Sequence, residues 1–341
     1  MNIQELESTA KTMVAPGKGL LAMDESTPTC KSRFEKVGID CTEENRRAYR
    51  DLLVTTKGLP EHIGGAILFD ETIRQKTLTG APFAEHLSKV GIVPGIKVDK
   101  GAKNLAGHAG EKVTEGLDGL RERLAEYRGL GARFTKWRAV ITIGKGIPTQ
   151  GCIAANAHAL ARYAALAQEA GLVPIVEPEV LINGDHTIER CYEVTQHTLR
   201  TVFDELAEQR VVLEGMVLKP SMVISGLDCP KRAGVQEVAE QTLRCLLNTV
   251  PAAVTGVAFL SGGQGNEEAT AHLNAMHNLG KTLPWALTFS YARALQQPAI
   301  ETWHGKAGNV EAAQNALHHR ARLNGAAALG RYKESMEKEA A

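Results

Sequence analysis

The sequence predicts an α/β protein of the (β/α)8 (TIM) barrel class, a single domain with an extra N-terminal helix and a short C-terminal tail. Three observations lead there. Eight short apolar runs each end in charged or hydroxyl residues. Helical or loop segments separate the runs, which is the alternation of a parallel sheet covered on its outer face. The length of 341 residues suits one barrel, a fold that takes about 250 residues or more. An open doubly wound sheet is the alternative. That fold usually carries Gly-x-Gly-x-x-Gly after its first strand, and Asp24-Glu-Ser-Thr-Pro stands there instead.

In chain order, residues 3–14 have the spacing of an amphipathic helix closed by Pro16-Gly17. The expected strands are Leu20 to Asp24, Ala66 to Asp70, Ile96 to Asp99, Phe134 to Arg138, Pro174 to Glu179, Met216 to Lys219, Val257 to Ser261 and Ala286 to Ser290. Helices are expected over 43–57, 153–170, 187–209, 234–250, 266–278 and 309–329. The first of these opens on Thr42 with Glu43 and Glu44 behind it, an N-cap followed by early acids. Segments 100–116 and 144–152 read as glycine-rich loops. The barrel domain is expected to span 1–330. The charged stretch 331–341 has no apolar face and is expected to fray.

Composition excludes several functions. Formal net charge is zero and the pI about 7.2, so nothing points to nucleic acid or an anionic membrane surface. No apolar run approaches the ~20 residues of a membrane span. The N-terminus carries acids early, unlike a signal or transit peptide. The six cysteines form no Cys-x-x-Cys pair, which suits reduced thiols in a cytoplasmic protein.

Lys219 lies inside the apolar run Gly-Met-Val-Leu-Lys-Pro-Ser-Met-Val. Burial disfavours an ammonium and favours the free amine, which attacks carbonyls. Alone, such a lysine also reads as a strand end reaching water. Period-two alternation then groups other ionisable residues. Lys97 shares a face with Asp99, Lys136 with Arg138, and Glu177 with Glu179; Asp24 closes the Leu20, Ala22 face. Taken singly, each is a turn, rim or solvated residue. Gathered at the C-terminal end of one barrel, so many charges need each other or a ligand. Lys136 near Lys219 would discourage a second charge there, and Glu177 or Asp24 would move protons. The imine formed is its own electron sink, so the expected chemistry needs no cofactor and no metal. Ser261, Gly262 and Gly263 after the seventh strand, with Ser290 and Arg293 at the eighth, suit a phosphate. Lys97, Arg138 and Arg33 are the cations for a second one.

Together these strings resemble the class I fructose-bisphosphate aldolases. They include Gly-Lys-Gly-Leu-Leu-Ala-Met-Asp-Glu-Ser at 17–26, Gly-Ile-Lys-Val-Asp-Lys-Gly at 95–101 and Lys-Trp-Arg at 136–138. Further along stand Ile-Val-Glu-Pro-Glu at 175–179, Leu-Glu-Gly-Met-Val-Leu-Lys-Pro at 213–220, Leu-Ser-Gly-Gly-Gln at 260–264 and Trp-Ala-Leu-Thr-Phe-Ser-Tyr at 285–291. The resemblance implies reversible cleavage of fructose 1,6-bisphosphate to dihydroxyacetone phosphate and glyceraldehyde 3-phosphate. It implies Lys219 as the Schiff-base lysine, Glu177 as acid and base of imine formation, and Asp24 as acceptor of the hydroxyl proton, with Lys136 and Glu179 assisting. Ser26 joins the phosphate-facing residues on the same ground. Sugar bisphosphates and triose phosphates are the expected partners, and a homo-oligomer, a tetramer, the expected assembly.

The chain departs from the family pattern in three places. In Thr27-Pro-Thr-Cys-Lys-Ser-Arg33, expected as the loop after the first strand, Ser32 stands where a lysine is expected, which weakens the second phosphate site and leaves fructose 1-phosphate or sedoheptulose 1,7-bisphosphate as alternative substrates. Ala292 replaces a frequent glycine, and the tail offers only Tyr332 where a terminal tyrosine is expected. A non-catalytic barrel is the remaining alternative, set against by the presence of Asp24, Glu177 and Lys219.

Overall fold

Eight parallel strands close into a barrel, in the computed structural model, which describes residues 1–338. The strands are β1 (Gly19–Ala22), β2 (Ile63–Leu68), β3 (Val93–Lys97), then a separate antiparallel hairpin β4 (Ala102–Asn104) and β5 (Lys112–Thr114). The barrel resumes with β6 (Phe134–Ile141), β7 (Val173–Val180), β8 (Val217–Leu218), β9 (Gly256–Phe259) and β10 (Ala286–Tyr291), which pairs with β1 and closes the ring.

The helices of the described residues are α1 (Ile3–Met13), α2 (Thr27–Glu35), α3 (Glu43–Val54), α4 (Asp70–Arg74), α5 (Phe83–Lys89) and α6 (Leu120–Gly129). They continue with α7 (Gln150–Glu169), α8 (Ile188–Glu208), α9 (Val235–Leu247), α10 (Asn266–His277), α11 (Arg293–Trp303) and α12 (Val310–Ala327). Thr42, Thr149 and Thr187 each accept a hydrogen bond from a first-turn N–H of α3, α7 and α8, so these helices start where a hydroxyl satisfies an orphan donor. Among the described residues no helix is long and apolar enough to cross a membrane, and all six cysteines are free thiols.

Inward positions follow the two-residue period. Leu20, Ala22, Ile67, Phe134, Val173, Ile175, Val217 and Ala258 form one buried cluster inside the barrel. Leu6, Ala10, Met13 and Val14 belong to the same cluster, so α1 closes the bottom of the barrel with its apolar face. Gly64 and Gly256 let it approach: a Cβ would lie 2.4 Å from the Met13 carbonyl oxygen at the first and 2.8 Å from Val14 at the second. Outward residues such as Leu21, Leu68, Trp137, Val176 and Leu218 pack beneath the helices in the larger cluster.

Three expectations need correction. The loop after the first strand is helix α2, begun with Pro28 in its first turn, where proline's missing N–H costs nothing. The glycine-rich stretch 100–116 contains the β4–β5 hairpin. The tail does not fray over its described part. Tyr332 packs against the core, residues 334–338 form a 3-10 turn, and Arg320 donates to both oxygens of Glu337 at 2.7 and 2.5 Å. Residues 339–341 of that expected tail lie outside the described residues.

Gly95, inside the barrel, tests the packing. A Cβ there would meet the fully buried Phe134 ring at 2.2 Å. Gly95→Ala should lower unfolding stability by about 3 kcal/mol, the upper end of overpacking costs, read from urea denaturation.

Candidate active site

Strand register assembles the site at the C-terminal mouth. Lys97 pairs across with Lys136, and Arg138 with Glu177. Val176 pairs with Leu218, so the next residue, Lys219, falls beside Glu177 and its N–H bonds to the Val176 carbonyl at 2.8 Å. Pro220 has no N–H and β8 ends there as a ladder, leaving the lysine on the last inward position.

The side chains meet as a charge cluster. Glu177 Oε1 lies 3.2 Å from Lys219 Nζ, and its Oε2 lies 3.4 Å from Lys136 Nζ. One carboxylate is therefore shared between two lysines. Lys136 Nζ also lies 2.7 Å from Asp24 Oδ2 and 4.0 Å from Asp99 Oδ2. All these side chains are buried, Lys136 and Lys219 to 4% exposure. Burial alone would raise the Asp24 carboxyl, but Lys136 and Lys219 outweigh it and hold it down at about 2. Burial would lower the Lys136 ammonium, and here Asp24, Glu177 and Asp99 outweigh it and push its pKa above the ordinary lysine range. Asp24 is thus an anion and Lys136 a cation at neutral pH.

Every site residue expected from the sequence lines one cavity of about 930 Å³. On one wall stand Ser261, Gly262, Gly263, Ser290 and Arg293. Gly262 and Gly263 have φ of +52° and +90°, a turn that residues with a Cβ enter poorly. The Ser290 hydroxyl is buried without a hydrogen-bond partner among the described residues, and Arg293 opens α11, whose N-terminus favours an anion. Ala292 takes φ −101°, so this position does not require glycine.

On the other wall each cation already has a carboxylate. Lys97 Nζ sits 2.7 Å from Asp99 Oδ1, Arg138 pairs with Glu179, and Arg33 pairs with Glu25. Ser26 stands at the N-cap position of α2 beside them without bonding a first-turn N–H, its hydroxyl 3.2 Å from that of Thr29. Ser32 is exposed on α2 and does not line the cavity. Tyr332 does not line it either; its hydroxyl donates to Glu337 at 3.0 Å.

Some contributors escaped the expected set. Glu25 follows Asp24 and by strict alternation points outward, but β1 ends at Ala22, and the turn brings Glu25 onto Arg33. Asp99 was visible as sharing a face with Lys97, yet its work as a clamp is a matter of three-dimensional contact: it also accepts the N–H groups of Gly101 at 3.1 Å and Arg138 at 3.2 Å. Lys100, Arg123 and Tyr127 extend the cavity wall from elements that alternation does not reach.

The family model described as fructose-bisphosphate aldolase class-I matches residues 5–341. The chain is 63% identical over 334 residues to a Xanthomonas campestris pv. campestris protein called probable fructose-bisphosphate aldolase class 1, covering 98% of this chain and 100% of that one. It is 54% identical over 331 residues to a fructose-bisphosphate aldolase of Dictyostelium discoideum, covering 96% and 92%. Among solved structures, a fructose-bisphosphate aldolase from Plasmodium falciparum aligns with a TM-score of 0.95 and 51% identity, covering 97% of this chain and 96% of that one.

The charge cluster makes a pH-dependent prediction. Asp24 has a folded pKa below its ordinary 3.8, so it contributes stability above pH 3.8 that is lost as pH falls towards 2. Lys136→Met reverses that sign by leaving buried carboxylates together. Stability should fall by about 3–5 kcal/mol at pH 7, the cost of removing one partner of a buried pair. The deficit should shrink on acidification to pH 4 as Asp24, no longer held down by Lys136, takes up a proton. Urea denaturation at the two pH values measures it.

Proposed function

This chain belongs to the class-I fructose-bisphosphate aldolases, and we propose that it cleaves its substrate through a Schiff base on Lys219. It is a lyase acting on fructose 1,6-bisphosphate. The observation that supports the proposed chemistry is the Glu177 carboxylate shared between Lys219 and Lys136.

Glu177 takes a proton from the lysine, and the free amine adds to the C2 carbonyl of the open-chain ketose. One proton passes from the added nitrogen to the C2 oxygen to give the carbinolamine; Glu177 returns the other to that hydroxyl, which leaves as water while the nitrogen lone pair closes the C=N⁺ bond. The iminium draws in the electron pair of the C3–C4 bond. Asp24 takes the C4 hydroxyl proton, and glyceraldehyde 3-phosphate departs as the aldehyde. A proton then adds to C3 of the enamine, and water hydrolyses the imine to release dihydroxyacetone phosphate. A carboxyl held at about 2 is a weak base, so Asp24 works by proximity to the reacting hydroxyl more than by basicity. Lys136 keeps Asp24 and Glu177 in place, and Glu179 assists by aiming Arg138.

One phosphate sits among Ser261, Gly262, Gly263, Ser290 and Arg293, the wall whose hydroxyl and N–H groups are free of carboxylates. The other faces Lys97, Arg138, Arg33 and Ser26. With Tyr332 held by Glu337, the proton for the enamine comes from the groups around Lys219. Six unbridged cysteines support a reducing cytoplasm as the compartment. A homotetramer is the proposed assembly, with the exposed Leu227 and Val235 as apolar surface for contacts between copies.

Borohydride added with fructose 1,6-bisphosphate should fix one triose phosphate adduct on the chain, mapped to Lys219 by peptide mass spectrometry. Lys219→Arg should abolish both trapping and turnover, while EDTA leaves the wild type active. Glu177→Gln should slow imine formation about 10²–10⁴-fold, the usual contribution of a general acid–base group. Undiminished cleavage by Lys219→Arg would sink the mechanism.

A further inference from the structure

One buried side chain holds the phosphate-facing loop from behind without reaching the cavity. Gln264 follows Ser261-Gly262-Gly263 and is 3% exposed. Its main-chain carbonyl accepts a hydrogen bond from Arg293 Nη2 at 2.6 Å. Its main-chain N–H and its side-chain Nε2 both donate to the Ser261 carbonyl, each at 3.0 Å. The same Nε2 lies 3.7 Å from the sulfur of Met222, three residues beyond Lys219. Its Oε1 lies 2.6 Å from His272 Nδ1 on α10. Burial pushes the His272 imidazole down to about 4, so the ring is neutral at pH 7 and its Nδ1–H is the donor to Gln264.

All four hydrogen-bonding groups of Gln264 are therefore engaged, and they join pieces that the chain supplies separately. Ser261 comes from the end of β9, Arg293 from the start of α11, Met222 from the segment after β8, and His272 from the body of α10. Ser261 and Arg293 must converge on one anion, and neither is fixed by its own element alone. We infer that Gln264 is a positioning residue that sets the distance between Ser261 and Arg293 and so pre-forms the phosphate cradle. This rests on the reading above, in which that loop receives a substrate phosphate. Pre-organised donors spare the ligand the cost of ordering the loop, so the effect belongs to binding more than to the chemical step.

Gln264→Met keeps length and bulk while removing the side-chain hydrogen bonds to Ser261 and His272. The inhibition constant of inorganic phosphate and the KM for fructose 1,6-bisphosphate should both rise about tenfold, the scale of one or two lost hydrogen bonds, with kcat unchanged. The variant also strands the buried His272 donor and should melt at a lower temperature. Adding His272→Leu removes that donor and should restore thermal stability while the phosphate inhibition constant stays raised. A merely structural Gln264 would show the two recovering together. Unchanged phosphate inhibition in Gln264→Met, or recovery of inhibition along with melting temperature in the double variant, overturns the inference. Borohydride trapping on wild-type Lys219 is scored separately: its failure would count against the Schiff base and leave the phosphate measurements standing.

Discussion

Everything at the mouth of this barrel depends on the ammonium of Lys136 lying within 4.0 Å of three carboxylates. Moving an ion out of water costs several kcal/mol even after the protein relaxes. Lys136 offsets that cost for Asp24, Asp99 and Glu177 at once, and they offset it for Lys136. Glu177 has its second oxygen near Lys219, so the proposed nucleophile belongs to the same mutual arrangement. A cluster of this kind cannot be diluted one member at a time, because each group left alone is a buried, unpaired charge. Asp24 is consequently ionised and weakly basic, so the proton transfer proposed for it has to come from placement.

The barrel supplies that placement through a gradient of polarity along its axis. At the bottom, α1 fills the opening with Leu6, Ala10 and Met13, and the first inward layers are apolar. Towards the top the same inward positions become Lys97, Lys136, Glu177 and Lys219. The two walls proposed to receive the phosphates differ for a related reason. The β9–β10 wall offers hydroxyls, turn N–H groups and a helix N-terminus without carboxylates, so an anion there meets donors only. The opposite wall has Lys97, Arg138 and Arg33 already paired with Asp99, Glu179 and Glu25. An anion arriving there must share each cation with an internal rival.

Much of this was legible in the sequence because side-chain direction in a strand repeats every two residues. That rule alone put Lys97 with Asp99, Lys136 with Arg138 and Glu177 with Glu179, and sent Trp137 outward, where it stacks on Tyr163 at 5.5 Å. What it could not supply was pairing across elements. Glu25 with Arg33, and Glu177 between two lysines, depend on register and on where strands stop. The segment Thr27-Pro-Thr-Cys-Lys-Ser-Arg looked like a loop because hydroxyls and a proline dominate it, although Ser26 followed by Pro28 is also how a helix begins. The tail misled for the opposite reason. It lacks an apolar face, but Glu337 finds Arg320, a partner on α12 that no local pattern reveals.

Register is finally what the chemistry stands on. A slip of one residue between β6 and β7 would turn Glu177 and Glu179 outward and bring Val176 and Pro178 into the mouth. Two side-chain locks oppose this. Buried Tyr163 on α7 bonds to the Thr135 hydroxyl at 2.9 Å and donates to the Ile175 carbonyl at 3.1 Å, pinning both strands to one helix. At the far end the Ser221 hydroxyl donates to the Val180 carbonyl and accepts from its N–H, each at 2.9 Å, tying β7 to the segment carrying Lys219. Pro174 and Pro178 have no N–H to offer, so a shifted ladder would place those gaps opposite carbonyls that now have partners. The strand that carries Glu177, the proposed acid and base, is thus fastened at both ends by groups outside the charge cluster, and the shared carboxylate follows from that fastening.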